Sequence, residues 1–350
     1  MDNPQQVRYM ANRDASPATL EAVARAANVS RATVSRVVNG DRRVREETRN
    51  AVQAAVRDLD YVPNRAARSL VTKRSGSVGV VIPEPTSQLF GDPFFPRVLR
   101  GIGEVLAEEA MQLVLLMPQV RADAVRAEVY LAAGHVDGVL LISLHGSDPL
   151  PEDLRARGIP VVVGGRPPTA GITYVDVDNQ RGAGMAVQHL LTNGRRHVAT
   201  IAGPQDMPAG ADRLAGYHEA LGGAGLPVDE RLVEIADFSL EGGRSAMERL
   251  LARAPALDAV FVASDLMAMG ALSALQTAGR SVPGDVAVVG FDDSPLAAQA
   301  HPALSSVRQP IEEMGREMAR LLSRMVASRD RAARRVILAT ELVVRASSGR

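Results

Sequence analysis

Short apolar runs alternate with longer amphipathic stretches from Ser77 to Phe291. Runs of this length are typical of buried strands, and the stretches between them carry the helical period. Because such strands must be covered on both faces, the alternation predicts parallel sheets of the α/β class. The predicted strands are Val78–Ile82, Leu113–Met117, Gly138–Ser143, Pro160–Val163, Thr173–Val177, Val198–Ala202, Val233–Ala236, Ala259–Ala263 and Val286–Phe291. The predicted helices include Pro93–Ala110, Arg181–Asn193, Ala209–Gly222, Leu240–Ala252 and Leu266–Thr277.

These strands are too numerous for one mononucleotide-binding half, so we expect two similar lobes. In folds of this kind a ligand lies at the carboxyl ends of the strands, here in a cleft between the lobes.

A smaller helical unit precedes this region. Its first helix has an apolar face formed by Leu20, Val23, Ala24 and Ala27. Asn28 tolerates a positive φ and permits a sharp turn, and Ser30 is a suitable N-cap for a second helix. A third helix presents its own apolar face through Val52, Ala55, Val56 and Leu59. The spacing predicts a three-helix unit too small to be an enzyme.

The second helix of this unit directs Val34, Val37 and Val38 inward and leaves Arg31, Ala32 and Arg36 outside. A helix of this width fits the major groove of DNA. Charge supports the same interpretation: the whole chain is neutral, but residues 1–75 carry 14 basic and 8 acidic side chains. A basic head on an acidic body suits a protein that meets phosphate at one end.

Composition excludes several classes of function. The chain has no cysteine, which excludes disulfides and thiolate metal sites, and its six histidines lack metal-ligand spacing. No run approaches the roughly 20 apolar residues of a membrane helix, and the polar N-terminus lacks a secretory signal. We therefore expect a cytoplasmic protein without a cofactor.

The sequence resembles the lactose-repressor (LacI) family of bacterial transcription regulators. In the head, the resemblance rests on AVARAANVSRATVSRVVNG, VREETRNAV and LDYVPNRAARSL. In the body, it rests on DPFFPRVLRGI, VDGVLLIS, VDVDNQRGAG, ADRLAGYHEAL, ASDLMAMGAL, VAVVGFDDSPLA and LSSVRQP. The resemblance implies an α-helical helix-turn-helix DNA-binding head on a two-lobed α/β body similar to periplasmic binding proteins. It also implies a homodimer on pseudo-palindromic double-stranded operator DNA, with a small effector that changes operator affinity.

From these observations we expect four segments. They are a disordered tail (residues 1–17), a helix-turn-helix domain (18–62), a hinge helix and linker (63–76), and an effector-binding and dimerisation domain of two lobes (77–347). No heptad segment follows the last family-like strand, so we expect a dimer rather than a tetramer.

The resemblance assigns DNA-binding roles to Ser30, Arg31, Ala32, Thr33, Arg36, Asn39, Asn64, Ala67, Arg68 and Leu70. Arg31 at a base-reading position could pair with guanine, or it could contact only phosphate. Ser30 could simply cap its helix, and Asn39 could serve only the turn. By the resemblance, Leu70 enters the minor groove and kinks the duplex, although packing against the body is the alternative.

The resemblance also assigns effector contacts to Asp92, Phe94, Arg166, Arg213, Ser264 and Asp292. Arg213 and Asp292 offer paired hydrogen bonds that suit the vicinal hydroxyls of a carbohydrate, with a salt bridge between the lobes as the alternative. Asp92 could instead only begin a helix, and Asp265 after Ser264 is expected to cap the next one. Arg166 together with Arg213 would suit an acidic or phosphorylated effector.

Two other classes of function stay open. The chain could be a cytosolic sugar-binding module without a DNA function, which the head disfavours. It could also be a nicotinamide-dependent enzyme, because Arg181–Val187 faintly resembles a dinucleotide loop. Close packing of a helix on a strand would equally explain the glycines of that segment.

Overall fold

The computed structural model describes residues 18–38, 40–41, 43–61, 74–328 and 331–349. The predicted tail and several predicted DNA contacts lie outside the described residues: Asn39, Asn64, Ala67, Arg68 and Leu70. The chain divides into two compact units, Met1–Ser75 and Gly76–Arg350, which are described separately.

The described part of the first unit contains the helices α1 (Leu20–Ala26), α2 (Arg31–Val38) and α3 (Glu46–Asp58). Between α1 and α2 the chain turns at Asn28, whose φ of 51° lies in the left-handed region. The Ser30 hydroxyl then accepts a hydrogen bond of 3.1 Å from the Thr33 N–H and caps α2, as its sequence position predicts. The three helices share a small core of Val23, Ala24, Val34, Val52, Ala55 and Tyr61.

The second unit consists of two lobes of the same α/β type. The first lobe contains β1 (Ser77–Val81), α4 (Thr86–Gly91), α5 (Phe94–Glu108), β2 (Gln112–Leu116), α6 (Arg121–Ala132), β3 (Gly138–Ile142), α7 (Leu150–Ala156), β4 (Val161–Gly164) and β5 (Thr173–Val177). The second lobe contains α8 (Asn179–Thr192), β6 (Val198–Ala202), α9 (Pro208–Gly223), β7 (Val233–Ile235), α10 (Leu240–Arg253), β8 (Ala259–Val262), α11 (Asp265–Thr277), β9 (Ala287–Asp292), α12 (Pro295–Gln299) and β10 (Ser305–Arg308).

The chain then returns to the first lobe as α13 (Ile311–Ser328) and β11 (Arg335–Leu338), and crosses again to the second lobe as β12 (Glu341–Val343). Short 3₁₀ turns lie at Glu230–Leu232 and Ala346–Ser348. The first lobe therefore owes one strand of its sheet, β11, to a segment far from its other strands in sequence.

Both sheets have six strands and the same order, β11-β5-β4-β3-β1-β2 in the first lobe and β12-β10-β9-β8-β6-β7 in the second. The ladders are parallel except for the antiparallel pair of β10 with β12. The predicted pair of parallel α/β lobes is thus confirmed. In each sheet the strand order reverses beside the first strand, and a crevice opens at the carboxyl ends of the strands there.

Helix α5 packs closely on α13 across the first lobe, and glycines allow this approach. A Cβ atom on Gly101 would lie 2.0 Å from the Glu312 carbonyl oxygen, and one on Gly315 would lie 2.2 Å from the Val98 carbonyl oxygen. Since these neighbours are backbone atoms, a larger residue requires the helices to separate.

We therefore predict that Gly101→Ala lowers the free energy of unfolding of the body by about 1–3 kcal/mol, because overpacking forces the backbone to shift. Gly103→Ala on the same helix is the control, since a Cβ there meets nothing within 4 Å. That change should stabilise the helix by about 0.5–1 kcal/mol. Urea denaturation measures both, and equal effects of the two substitutions would contradict the packing argument.

Candidate functional site

A cleft between the two lobes encloses about 670 Å³, including the space at its open mouth. Its described lining comes from both lobes and consists of Gln88, Asp92, Phe94, Phe95, Ile142, Ser143, Gly164, Gly165, Asp176, Val177, Asn179, Met207, Ala209, Arg213, Phe238, Ser264, Asp292, Gln309 and Met314. Five of the six residues predicted to contact an effector are among these, namely Asp92, Phe94, Arg213, Ser264 and Asp292.

Arg213 projects from α9 and is only 5% exposed. Its Nε donates to Asn179 Oδ1 at 2.9 Å, and its Nη1 donates to the Ala263 carbonyl oxygen at 2.6 Å. The guanidinium lies 3.7 Å from the centroid of the Phe291 ring, in a cation–π contact. Burial lowers the pKa of Arg213, and neighbouring carboxylates, Asp292 first, oppose that shift. The cation is thus held in a fixed orientation at the cleft.

Asp292 ends β9 with a φ of 111°, a backbone conformation that is costly for a residue with a side chain. Its Oδ1 accepts a hydrogen bond of 2.5 Å from Gln309 Nε2 and lies 3.8 Å from Arg213 Nη1. Burial raises the pKa of Asp292, while Arg213 opposes the rise. Arg213 and Asp292 both belong to the second lobe, so a salt bridge between the lobes does not account for the pair.

Asp92 lies between α4 and α5, and its Oδ1 accepts a hydrogen bond of 2.8 Å from the N–H of Phe94, the first residue of α5. Pro93 holds the N-cap position, so Asp92 supports the start of the helix from one residue before the cap, and it also lines the cleft. Burial raises the pKa of Asp92 to about 6, and the nearby carboxyls of Asp265 and Glu84 add to the rise. The adjacent rings of Phe94 and Phe95 meet edge to face, with centroids 5.4 Å apart.

Ser264 follows β8 and lines the cleft. It is the N-cap of α11, since its hydroxyl accepts a hydrogen bond of 3.2 Å from the Met267 N–H. The expectation that Asp265 caps this helix is wrong by one residue. Asp265 is instead the first residue of α11, and its carboxylate accepts from the Ser294 N–H and the Ser306 hydroxyl, each at 2.6 Å. Ser264 lines the cleft as predicted, because the N-cap of α11 lies close to the carboxyl end of β8, where the cleft opens.

Arg166 departs from the sequence prediction. It is not among the described lining residues, and its Nη2 donates at 2.5 Å to Asp212 Oδ1 on α9 of the second lobe. Its charge is thus engaged in an ion pair between the lobes. This removes the basis for an acidic effector, because Arg213 is left as the one cation in the described lining beside three carboxylates, Asp92, Asp176 and Asp292.

Sequence reasoning missed the polar residues that support Arg213. Asp176 is the next-to-last residue of β5, its Oδ1 accepts from Asn179 Nδ2 at 3.0 Å, and Asn179 in turn accepts from Arg213. Gln309 follows β10 and holds Asp292. Each of the three lies at or just after the carboxyl end of a strand, and that position is the signal that could have identified them.

In the described part of the head, the predicted recognition residues lie at the start of α2 and one turn further along it. Ser30, Arg31, Ala32 and Arg36 are exposed and Thr33 is half-buried. Arg31 Nε lies 3.2 Å from Glu21 Oε1 in an exposed ion pair, which DNA phosphate or a base edge could replace at little cost. Contact of Arg31 with bases or with phosphate stays open.

Arg181–Val187 lies inside α8 rather than in a loop between strand and helix. A Cβ on Gly182 would lie 2.9 Å from the Phe291 ring, so close packing accounts for this glycine. In the described ranges, no group of three or more His, Cys, Asp and Glu side chains is arranged to hold a metal ion. Each helix among these residues is also too short or too polar to cross a bilayer.

The raised pKa of Asp92 makes a prediction about stability. Because the folded protein binds a proton at this carboxyl between about pH 4 and pH 6 more readily than the unfolded chain, the free energy of unfolding falls as pH rises through that interval. Asp92→Asn keeps the acceptor for the Phe94 N–H and removes the buried charge. At pH 7.5 it should stabilise the body by about 2 kcal/mol, and near pH 4 it should have little effect.

Urea denaturation at both pH values measures this difference. Asp229→Asn serves as a control of opposite sign, because Arg231 lowers the pKa of Asp229 through hydrogen bonds. A stabilisation by Asp92→Asn that is the same at both pH values would show that the charge is not its cause.

Comparisons with known proteins agree with this architecture. The family model for bacterial regulatory proteins of the lacI family matches residues 19–64, and that for a periplasmic binding protein-like domain matches residues 187–348. The HTH-type transcriptional regulator CelR of Thermobifida fusca is 51% identical over 332 residues, which cover 94% of this chain and 98% of CelR.

Two solved structures extend the comparison. A complex of the transcriptional regulator CelR with cellobiose aligns with a TM-score of 0.76 at 49% identity, over 94% of this chain and 99% of that chain. The lac repressor dimer bound to operator and the anti-inducer ONPF aligns with a TM-score of 0.84 at 26% identity, over 96% of this chain and 100% of that chain. Because the chain is 51% identical to CelR over nearly its whole length, it belongs to the LacI family and is a DNA-binding transcriptional regulator.

Proposed function

We propose that this regulator is a homodimeric repressor, released from its operator when a neutral sugar binds between the lobes. The observation that carries the proposal is the buried pair of Arg213 and Asp292 at the cleft, 3.8 Å apart. The pair offers directional donors and acceptors at one wall of a cavity that also exposes aromatic carbon. Vicinal hydroxyls and an apolar sugar face match that combination.

The charge of the cleft supports a neutral ligand over an anionic one. Three carboxyl groups and one arginine are present among the described lining residues, so a phosphate or carboxylate on the ligand would meet acidic groups that outnumber the single cation. Hydroxyl groups instead donate to carboxylates without a charge penalty. Since the similar CelR structure contains cellobiose, we propose a β-linked glucose disaccharide of that class as the effector.

In this proposal Asp92, Phe94, Arg213, Ser264 and Asp292 contact the sugar, and Asp176, Asn179 and Gln309 support them. Arg166 holds the lobes together through Asp212 rather than touching the ligand. The aromatic ring of Phe94 offers a face for a pyranose ring.

We propose that the head reads pseudo-palindromic operators through residues 18–62, with Ser30, Arg31, Ala32, Thr33, Arg36 and Asn39 at the DNA. The hinge of residues 63–76 would add Asn64, Ala67, Arg68 and Leu70, the last in the minor groove. The lobes of residues 77–347 would bind the effector and dimerise. The exposure of Arg31, Ala32 and Arg36 on α2 supports this role of the head.

Control of DNA binding requires that the sugar bind the DNA-free arrangement more tightly than the operator-bound one. Coupling of this kind between two sites is typically about 1–3 kcal/mol, which corresponds to roughly 5- to 150-fold in affinity. We further propose that the protein works in the cytoplasm, without a cofactor and without catalysing a reaction, as expected of a transcription regulator.

Operator binding by the full chain tests this function. Sites selected from a random duplex pool are labelled, and their affinity is measured by fluorescence anisotropy with and without cellobiose. Cellobiose should weaken operator binding roughly 5- to 150-fold. Asp292→Ala should leave operator affinity unchanged and abolish the response to the sugar, because it removes the acceptor beside Arg213.

Glu109→Ala, at an exposed position just after α5, is the control and should respond like the unaltered chain. Thermal unfolding confirms that each variant is folded. Failure to select any short symmetric site would favour a sugar-binding module without a DNA function. Retention of the cellobiose response in Asp292→Ala would refute the assigned site.

A further inference from the structure

A histidine at the edge of the cleft faces one carboxylate from each lobe. His145 lies in the loop after β3 of the first lobe. Its Nε2 lies 3.0 Å from Glu84 Oε1 of the same lobe, and its Nδ1 lies 3.0 Å from Asp206 Oδ2 in the loop after β6 of the second lobe. The imidazole ring therefore bridges the two lobes.

This geometry requires a protonated ring. A neutral imidazole carries one N–H, so it can donate to only one of the two carboxylates, and its other nitrogen would place a lone pair against carboxylate oxygen. An imidazolium donates to both. The lobes also meet beside the ring through the backbone, where the Gly146 N–H donates to the Asp206 carbonyl oxygen at 2.9 Å.

Glu84 connects this bridge to the cavity. Its side chain is 5% exposed, and its Oε1 accepts both from His145 and, at 2.5 Å, from the hydroxyl of Ser143. Ser143 lines the cleft and has a φ of 61°, so its backbone is held in an unusual conformation at the same point. Hydrogen bonds therefore run without interruption from Ser143 at the cleft through Glu84 and His145 to Asp206.

We propose that His145, Glu84 and Asp206 form a proton-dependent latch, in which a proton held on His145 joins the two lobes and strengthens effector binding. The inference rests on the proposed function in one respect, namely that a sugar closes this cleft. His145 is a positioning residue in this account, since it does not line the cleft.

The hydrogen bond to Glu84 is the largest cause that raises the pKa of His145, to about 9 from an ordinary 6.5. The bond to Asp206 adds to the rise, and partial burial opposes it. Opening the lobes would remove Asp206 and keep Glu84, so the pKa of His145 is higher when the lobes are closed than when they are open. A proton on His145 therefore stabilises the closed arrangement of the lobes at low pH, and this stabilisation is lost as the pH rises through about 9.

Other charged groups lie near this ring. Those that line the same groove of the first lobe as His145 are Arg121, Glu128, Asp148 and Asp153. Carboxyls inside the cleft, Asp92 and Asp292 among them, titrate as well. All of these are unchanged by a substitution at Asp206, so comparison between variants separates the latch from them.

The test measures binding of cellobiose to the full chain by calorimetry at pH 6 to 9, in buffers with different ionisation enthalpies. The unaltered protein should take up a fraction of a proton on binding, and its affinity should fall as pH rises. Asp206→Asn should abolish the uptake that belongs to His145 and flatten the pH profile. The introduced amide can accept from the charged ring or donate to the neutral one, so it serves both states.

Asp212→Asn is the matched control, because it breaks another ion pair between the lobes, that with Arg166, and leaves His145, Glu84 and Asp206 unchanged. It should weaken binding by roughly two- to fivefold at every pH, as expected for a partly exposed ion pair. A pH profile and proton uptake in Asp206→Asn identical to those of the unaltered chain would overturn the latch.

If cellobiose does not bind, the proposed effector fails and the latch is tested separately. Side-chain NMR of selectively labelled histidine then follows the titration of His145, identified by the signal lost in His145→Gln. A midpoint in the unaltered chain at least about one pH unit above that in Asp206→Asn supports the latch. Equal midpoints overturn it.

Discussion

The cleft depends on one buried cation, the guanidinium of Arg213. A charge removed from water is costly unless hydrogen bonds and opposite charges replace the solvent. Asn179, the Ala263 carbonyl and the Phe291 ring supply that replacement, and Asp292 lies within 4 Å. These partners come from β8, β9 and the start of α8, so the fold of the second lobe and the chemistry of its binding wall are specified together.

The same charge explains why carboxyl groups gather here. Burial is the largest cause that raises the pKa values of Asp92, Asp176 and Asp292, neighbouring carboxyls add to the rise, and Arg213 opposes it for each of them. The cleft therefore contains several hydrogen-bond acceptors, and it has no excess of positive charge that would attract an anion. Ion pairs between the lobes, His145 with Asp206 and Arg166 with Asp212, lie at its edges. The charged side chains that line the cleft therefore lie close to those that join the two lobes.

Much of this architecture can be predicted from the sequence, because buried parallel strands are continuous apolar runs. The runs up to Phe291 predicted the two lobes. Strand β10 was not predicted because its residues, Ser305 to Arg308, include only one large apolar side chain and form no such run. The backbone of Asp292 could not be foreseen, since its φ is imposed by the surrounding fold. The role of Arg166 depends on Asp212, 46 residues away, so only the tertiary structure reveals that its charge is already paired.

The central claim is that the fixed charges around Arg213 select an uncharged sugar. Calorimetric titration of the full chain with cellobiose and with cellobionate, its singly charged aldonic acid, tests this most directly. The account predicts measurable binding of the neutral disaccharide and at least about tenfold weaker binding of the acid, because one added charge faces three carboxylates. Equal or tighter binding of the acid would contradict it.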